Sequence, residues 1–245
     1  MNSEAPLIIT GMHRSGTSLM ARFVHNSGID LGDKLLGAKK SNIYGHYEDV
    51  EILEFHRDVL ERQLGHQMWV RETPRMTDAD RDRALALISA RQRKSLWGWK
   101  DPRTCLFLDF WVDLLPGAYY LFVVRRPDLV LNSLSQRNNT RFYKFWTHNV
   151  FMRSWLFYNQ ECYRFYLDHH SHCVLLVLEH VQEQPARAVS LLSERLDFRF
   201  DEATFRDSYN ASALTKKPKQ PLFVSPLLRR KCLSLYEQLA QRTDV

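Results

Sequence analysis

Apolar residues recur along the chain in two rhythms. Short continuous runs at 7–10 (LIIT), 119–124 (YYLFVV) and 174–179 (VLLVLE), with a shorter run at 96–99 that contains a glycine, have the length of buried strands. Between them the apolar positions space themselves as on helices: after the glycine turn that follows residue 10, then over 49–64, 104–115, 128–137, 185–196 and 226–241. Phe151, Trp155, Tyr158, Cys162 and Phe165 add a long helical stripe. Strand, helix, helices, strand, helix, strand, helix, long helix, strand and helix is the order of an α/β fold, a central parallel sheet flanked by helices. No Pro/Gly/Ser-rich linker, repeat or charge block divides the chain, so residues 1–245 are expected to form one domain. A helical insertion at about 30–94 and a C-terminal helix at about 226–241 complete that expectation.

The turn after the first strand run carries chemistry. Against the phosphate-binding template G-x-x-x-x-G-K-[ST], the chain has Gly11 and Gly16, then Thr17 in place of the lysine, then Ser18. Arg14 supplies a cation inside the loop, and the amides of residues 15–18 with the helix start supply neutral donors and a positive dipole end. The run at 119–124 ends in Arg125-Arg126-Pro127, where a metal-binding nucleotide site would have an acidic residue. Ligands of open parallel sheets sit beyond the carboxyl ends of the strands, so Arg125 is expected to face the crevice of the Gly11 loop. Ser133, eight positions later, can return beside that guanidinium to clamp a second phosphate.

Arg14-Ser15-Gly16-Thr17-Ser18, Arg125 and Ser133 together resemble the 5′-phosphosulfate loop and the 3′-phosphate motif of the sulfotransferases that use 3′-phosphoadenosine 5′-phosphosulfate (PAPS). The segments 41–49 (SNIYGHYED), 97–103 (WGWKDPR) and 174–179 resemble the bacterial branch, and the likeness runs from about residue 7 to about 200. It implies a P-loop-like sulfotransferase architecture and PAPS as co-substrate with 3′,5′-ADP as product. It further implies transfer to a hydroxyl, or secondarily an amine, of a carbohydrate, lipid or secondary-metabolite acceptor, with no metal required. Donor-binding residues would be Arg14, Ser15, Gly16, Thr17, Ser18, Arg125 and Ser133. An ATP-dependent P-loop kinase and a non-catalytic nucleotide-binding module are the alternatives.

Sulfuryl transfer needs the departing phosphate stabilised, the acceptor oriented and its proton removed. Arg14 suits the first task because its guanidinium stays protonated. Candidates for the proton acceptor are Glu48, Asp49, His13, His46 and Asp101. Glu48 leads through the resemblance, since relatives without a histidine in this role often use a glutamate, while Glu48 and Asp49 could equally begin the helix at 49–64. Asp101 reads as an N-cap with Pro102 as first helical residue, leaving Lys100 and Arg103 as cations at another strand end.

A formal charge of +6 favours anionic ligands, and a nucleotide donor answers to it. The basic residues are spread out and no groove-reading motif is present, which argues against nucleic acid as partner. No signal-like or membrane-spanning apolar stretch is seen, so the chain is expected to be cytoplasmic, and Cys105, Cys162, Cys173 and Cys232 to be reduced thiols. Phe142, Tyr143, Phe145 and Trp146 are expected to pack in the core, with an acceptor-pocket lining as the alternative, and Lys216, Lys217 and Lys219 to form a solvated basic late loop.

Overall fold

The computed structural model of the chain describes residues 5–37, 45–65, 71–137, 144–209 and 224–245, the side chains of 136, 137 and 144–146 excepted. Strand β1 (Leu7–Thr10) leads into α1 (Thr17–Asn26), and α2 (Val50–Leu64) and α3 (Asp78–Arg91) precede β2 (Gly98–Lys100). A 3-10 turn (Pro102–Leu106) and α4 (Leu108–Leu114) follow, then β3 (Tyr119–Val124), α5 (Pro127–Arg137), α6 (Lys144–Asp168) and β4 (Cys173–Val177). The described order closes with α7 (Leu178–Glu183), α8 (Pro185–Arg195), α9 (Glu202–Ser208) and α10 (Pro226–Arg242).

The four strands form one parallel sheet in the order β2-β1-β3-β4, as the apolar runs predicted. Their runs are continuous because both faces are buried. Ile8, Tyr120, Phe122, Leu175 and Val177 enter one core with α2, α4, α6 and α10; Leu7, Ile9, Leu121, Val123, Val174 and Leu176 enter the other, against α1, α8 and α9. Phe151, Trp155, Tyr158, Cys162 and Phe165 are all buried in the first core, as their helical spacing required.

Three boundaries differ from the sequence expectation, the first being the run at 96–99, which pairs with β1 as Gly98–Lys100. The run at 174–179 stays extended only to Val177, where its last ladder partner is Val124; beyond that no strand accompanies it, and Leu178 and Glu179 open α7 instead. The pattern at 104–115 is split between the 3-10 turn and α4, because Phe107, at φ −126°, leaves the helical path. Within 30–94, α2 starts on Asp49, whose carboxylate accepts from the amides of Glu51 and Ile52, and α3 starts on a reciprocal Thr77–Asp80 capping box. Arg91 fastens the two helices through Asp49 at 2.6 Å. Among the described residues no helix is long and apolar enough to cross a membrane.

Candidate active site

A sheet ordered β2-β1-β3-β4 changes winding direction between β1 and β3, and the crevice beyond their carboxyl ends is where such a fold receives a ligand. The loop after β1 is shaped by two glycines. Gly11 has φ +147°, and a Cβ there would lie 2.2 Å from the backbone oxygen of Val123, so only glycine lets the loop press against the end of β3. Gly16 has φ +95° and is the N-cap of α1; a Cβ would meet Cδ2 of Leu178 at 2.8 Å. Between them Arg14 holds φ 71°, a left-handed conformation that costs a non-glycine residue roughly 1–2 kcal/mol and that the surroundings must enforce.

The Ser15 amide closes the loop onto the Met12 oxygen at 3.1 Å, so of the amides at 15–18 this one is used internally. The amides of Leu19 and Met20 bond the Gly16 oxygen at 3.0 and 3.2 Å, which starts the helix. Those of Thr17 and Ser18 lie in the first turn, where no intrahelical acceptor exists, and α1 has neither a capping side chain nor an acidic residue there. The Ser15 hydroxyl is buried with no hydrogen-bond partner among the described residues. This end of α1 thus presents donors of the kind that receive an anion.

The arginine and serine from the second motif reach the same place. Arg14 Nε donates to Ser133 Oγ on α5 at 2.8 Å, and Arg125 Nη1 donates to the Arg14 backbone oxygen at 3.2 Å. The Trp155 indole of α6 donates to the Arg125 backbone oxygen at 3.0 Å and pins the strand end. Burial draws the Arg125 guanidinium below its ordinary pKa, against the opposing charges of Glu179 and Asp128.

A third cation comes from β2. Lys100 Nζ donates to Glu48 Oε1 at 2.7 Å, to the His46 backbone oxygen at 3.1 Å and to Ser18 Oγ at 3.3 Å. An ammonium thus stands at the start of α1 although position 17 of the loop is threonine. Glu48 and Asp49, neighbours in sequence, part company: Asp49 caps α2 and binds Arg91, whereas Glu48 is buried against Lys100. Asp49 is therefore committed to structure.

Asp101 is likewise committed. It is fully buried, accepts the Arg103 amide at 3.1 Å and Nη1 at 2.8 Å on Oδ1, and meets His56 Nδ1 at 2.8 Å on Oδ2. The Trp111 indole, a donor only, bonds His56 Nε2 at 2.9 Å, so His56 is the Nδ1–H tautomer and Asp101 accepts from it. Burial lowers the His56 pKa more than Asp101 raises it, and the imidazole is neutral. Burial alone would raise the Asp101 pKa, but Arg103 and His56 hold it well below the usual carboxylate range. Thr10 Oγ1 donates to the Asp101 oxygen at 2.9 Å and locks the end of β1 to that of β2.

His56 has no signal in the sequence, for it lies inside the apolar stripe of α2. The Lys100–Glu48 pairing spans 52 residues, and the connection between the two residues could not be read from spacing. His13 stands half-buried with its ring centroid 6.1 Å from that of Tyr158, whose buried hydroxyl has no partner among the described residues. The first half of 41–49, Phe142 and Tyr143, the side chains of Phe145 and Trp146, and Lys216, Lys217 and Lys219 lie outside the described residues.

Among curated proteins none matches the chain by sequence. Solved structures share its fold. The sulfotransferase STF9 from Mycobacterium avium superposes with a TM-score of 0.60 at 12% identity, over 100% of this chain and 78% of that one. The sulfotransferase domain of the curacin biosynthetic pathway gives 0.58 at 13%, over 96% and 97% of the two chains. The sulfotransferase domain of the Synechococcus PCC 7002 olefin synthase gives 0.57 at 15%, over 96% and 94%. The family model described as the sulfotransferase family matches residues 6–202, a span that holds the glycine loop with Arg14, the strand-end cations Lys100 and Arg125, and Ser133. With a match over most of its length, the chain belongs to the sulfotransferase family, transferases that move a sulfuryl group.

Proposed function

We propose that this sulfotransferase takes its sulfuryl group from PAPS and passes it to a hydroxyl, or secondarily an amine, of a carbohydrate, lipid or secondary-metabolite acceptor, releasing 3′,5′-ADP. One observation carries the reading: the Arg14–Ser133 bond of 2.8 Å and the Arg125–Arg14 bond of 3.2 Å join the glycine loop and the strand-end clamp at one switch point. Two anion-binding groups that converge in a single crevice suit a nucleotide phosphorylated at both ends of its ribose. The buried Ser15 hydroxyl and the uncapped start of α1 fit the same demand.

In this reading PAPS supplies the activated sulfuryl group. Arg14, Ser15, Gly16, Thr17 and Ser18 hold its 5′-phosphosulfate, and Arg125 with Ser133 holds its 3′-phosphate. Arg14 neutralises charge that builds on the phosphate side as the S–O bond breaks. Lys100, fixed at the start of α1 through Ser18, adds a second positive charge at the same end of the cleft. Glu48, which lies 2.7 Å from the Lys100 ammonium, takes the proton of the acceptor. His13, on the loop beside Arg14, is the second candidate for that proton. Residues 1–245 act as one domain, in which 30–94 form the acceptor side, and four buried free thiols accord with a cytoplasmic setting.

Thermal melting tests the donor. At a hundredfold excess over Kd, 3′,5′-ADP without magnesium should add about 2.7 kcal/mol of stability. Stabilisation by ATP with magnesium and none by 3′,5′-ADP would replace the reading with a kinase, and absence of turnover with PAPS over a broad hydroxyl panel would leave a binding module.

A further inference from the structure

Glu179 is the acidic residue that closes the fourth apolar run, and none of the chemistry above uses it. It is the second residue of α7, next to Leu178, whose side chain fills the space beside Gly16, so adjacent residues of one turn stand behind the loop and behind Arg125. Its Oε1 lies 3.9 Å from Arg125 Nε, and its Oε2 accepts the Tyr236 hydroxyl of α10 at 3.1 Å. The Arg125 side chain is 4% exposed and that of Glu179 22%, so this contact is largely shielded from water. Arg126 and Asp128 are the other charged groups close to it.

A guanidinium is planar, and its donors point in fixed directions. Arg125 has its backbone oxygen held by Trp155 and its Nη1 turned to the Arg14 oxygen, while the Glu179 carboxylate stands 3.9 Å from its Nε, at ion-pair rather than hydrogen-bond distance. The Arg14 bond fixes one edge of the guanidinium, and the Glu179 charge beside Nε biases the plane in which the group lies. We propose that Glu179 is a positioning residue for the donor's 3′-phosphate, orienting Arg125 while Tyr236 fixes Glu179, so that preference for a 3′-phosphorylated nucleotide depends on α7 and α10. The proposal rests on the donor reading given above.

Calorimetric titration of the intact chain with 3′,5′-ADP and with 5′-AMP tests it, because 5′-AMP lacks the phosphate that Arg125 receives and serves as an internal control. Glu179→Ala should cut the preference for 3′,5′-ADP about tenfold while the 5′-AMP affinity stays within about twofold. Glu179→Gln keeps an acceptor for the guanidinium and should restore most of the preference. Tyr236→Phe, which removes one hydroxyl and is the safer variant for folding, should lower it about threefold. In turnover the loss should fall on the KM for PAPS and spare kcat. Unchanged preference in both Glu179→Ala and Tyr236→Phe overturns the proposal, as does tighter 3′,5′-ADP binding by Glu179→Ala, which would make Glu179 a competing counter-ion. A wild-type chain without any preference for 3′,5′-ADP would instead remove the donor reading itself.

Discussion

Replacing Lys100 with methionine keeps the aliphatic stem and deletes one ammonium from a nearly dry site. Its side chain is 1% exposed and that of Glu48 8%, and Nζ gives up bonds of 2.7, 3.1 and 3.3 Å to Glu48, the His46 oxygen and Ser18. A buried ion pair contributes little net stability when intact, since desolvation offsets the attraction, yet removal of one partner strands a charge at a cost of about 3–5 kcal/mol. In a chain of this size that is a fall in melting midpoint of roughly 6–20 °C. Lys100→Met combined with Glu48→Gln removes both charges and should recover most of the loss. Urea unfolding of wild type, both single variants and the double variant at one pH measures the coupling. A single-variant loss below about 1 kcal/mol, or a double variant equal to the sum of its parts, would refute the argument that these two groups neutralise each other.

On the proposed reading, Arg14→Ala should lower kcat by about a hundredfold or more, measured by turnover at saturating PAPS, because that side chain would meet charge formed as the bond breaks. Arg125→Ala should instead weaken 3′,5′-ADP binding about tenfold to a hundredfold with 5′-AMP little changed; titration with the two nucleotides distinguishes the effects. Gly11→Ala places a Cβ 2.2 Å from the Val123 oxygen, a backbone atom that cannot step aside, so the variant should retain helix and strand by circular dichroism yet lose its thermal stabilisation by 3′,5′-ADP. His56 is neutral when folded and takes a proton near pH 6.5 when unfolded, so stability is lost as pH falls below about 6.5; Asp101, lowered in the fold, adds a loss of the same sign at more acid pH. His56→Gln should therefore lose about 1.4 kcal/mol less than wild type between pH 7.5 and 5.5 in urea unfolding, and equal losses would show that the imidazole is not held neutral.

The apolar runs announced the sheet because a strand buried on both faces has no reason to alternate, and Leu7–Thr10 and Tyr119–Val124 came out with the bounds their composition implied. Arg14, Arg125 and Ser133 were legible for a topological reason. Strand ends of a parallel sheet face one crevice, so a cation that follows a strand can be placed before any coordinates are known. The run at 174–179 was misjudged at its end because an extended segment needs a partner, and no sequence rule says where Val124 stops providing one.

The amino-acid order on its own thus settles the alternation of strands and helices, the glycine-flanked loop and the strand-end arginine, since each rests on contacts within a few residues or on a rule about strand direction. Folding in three dimensions assigns partners across long separations: Lys100 to Glu48, His56 to Asp101, Glu179 to Arg125 and Tyr236. Glu48 and Asp49 show why. Two adjacent carboxylates with the same chemistry acquire different duties, one capping a helix and one facing a buried lysine, because burial and the charge opposite decide what a carboxylate does.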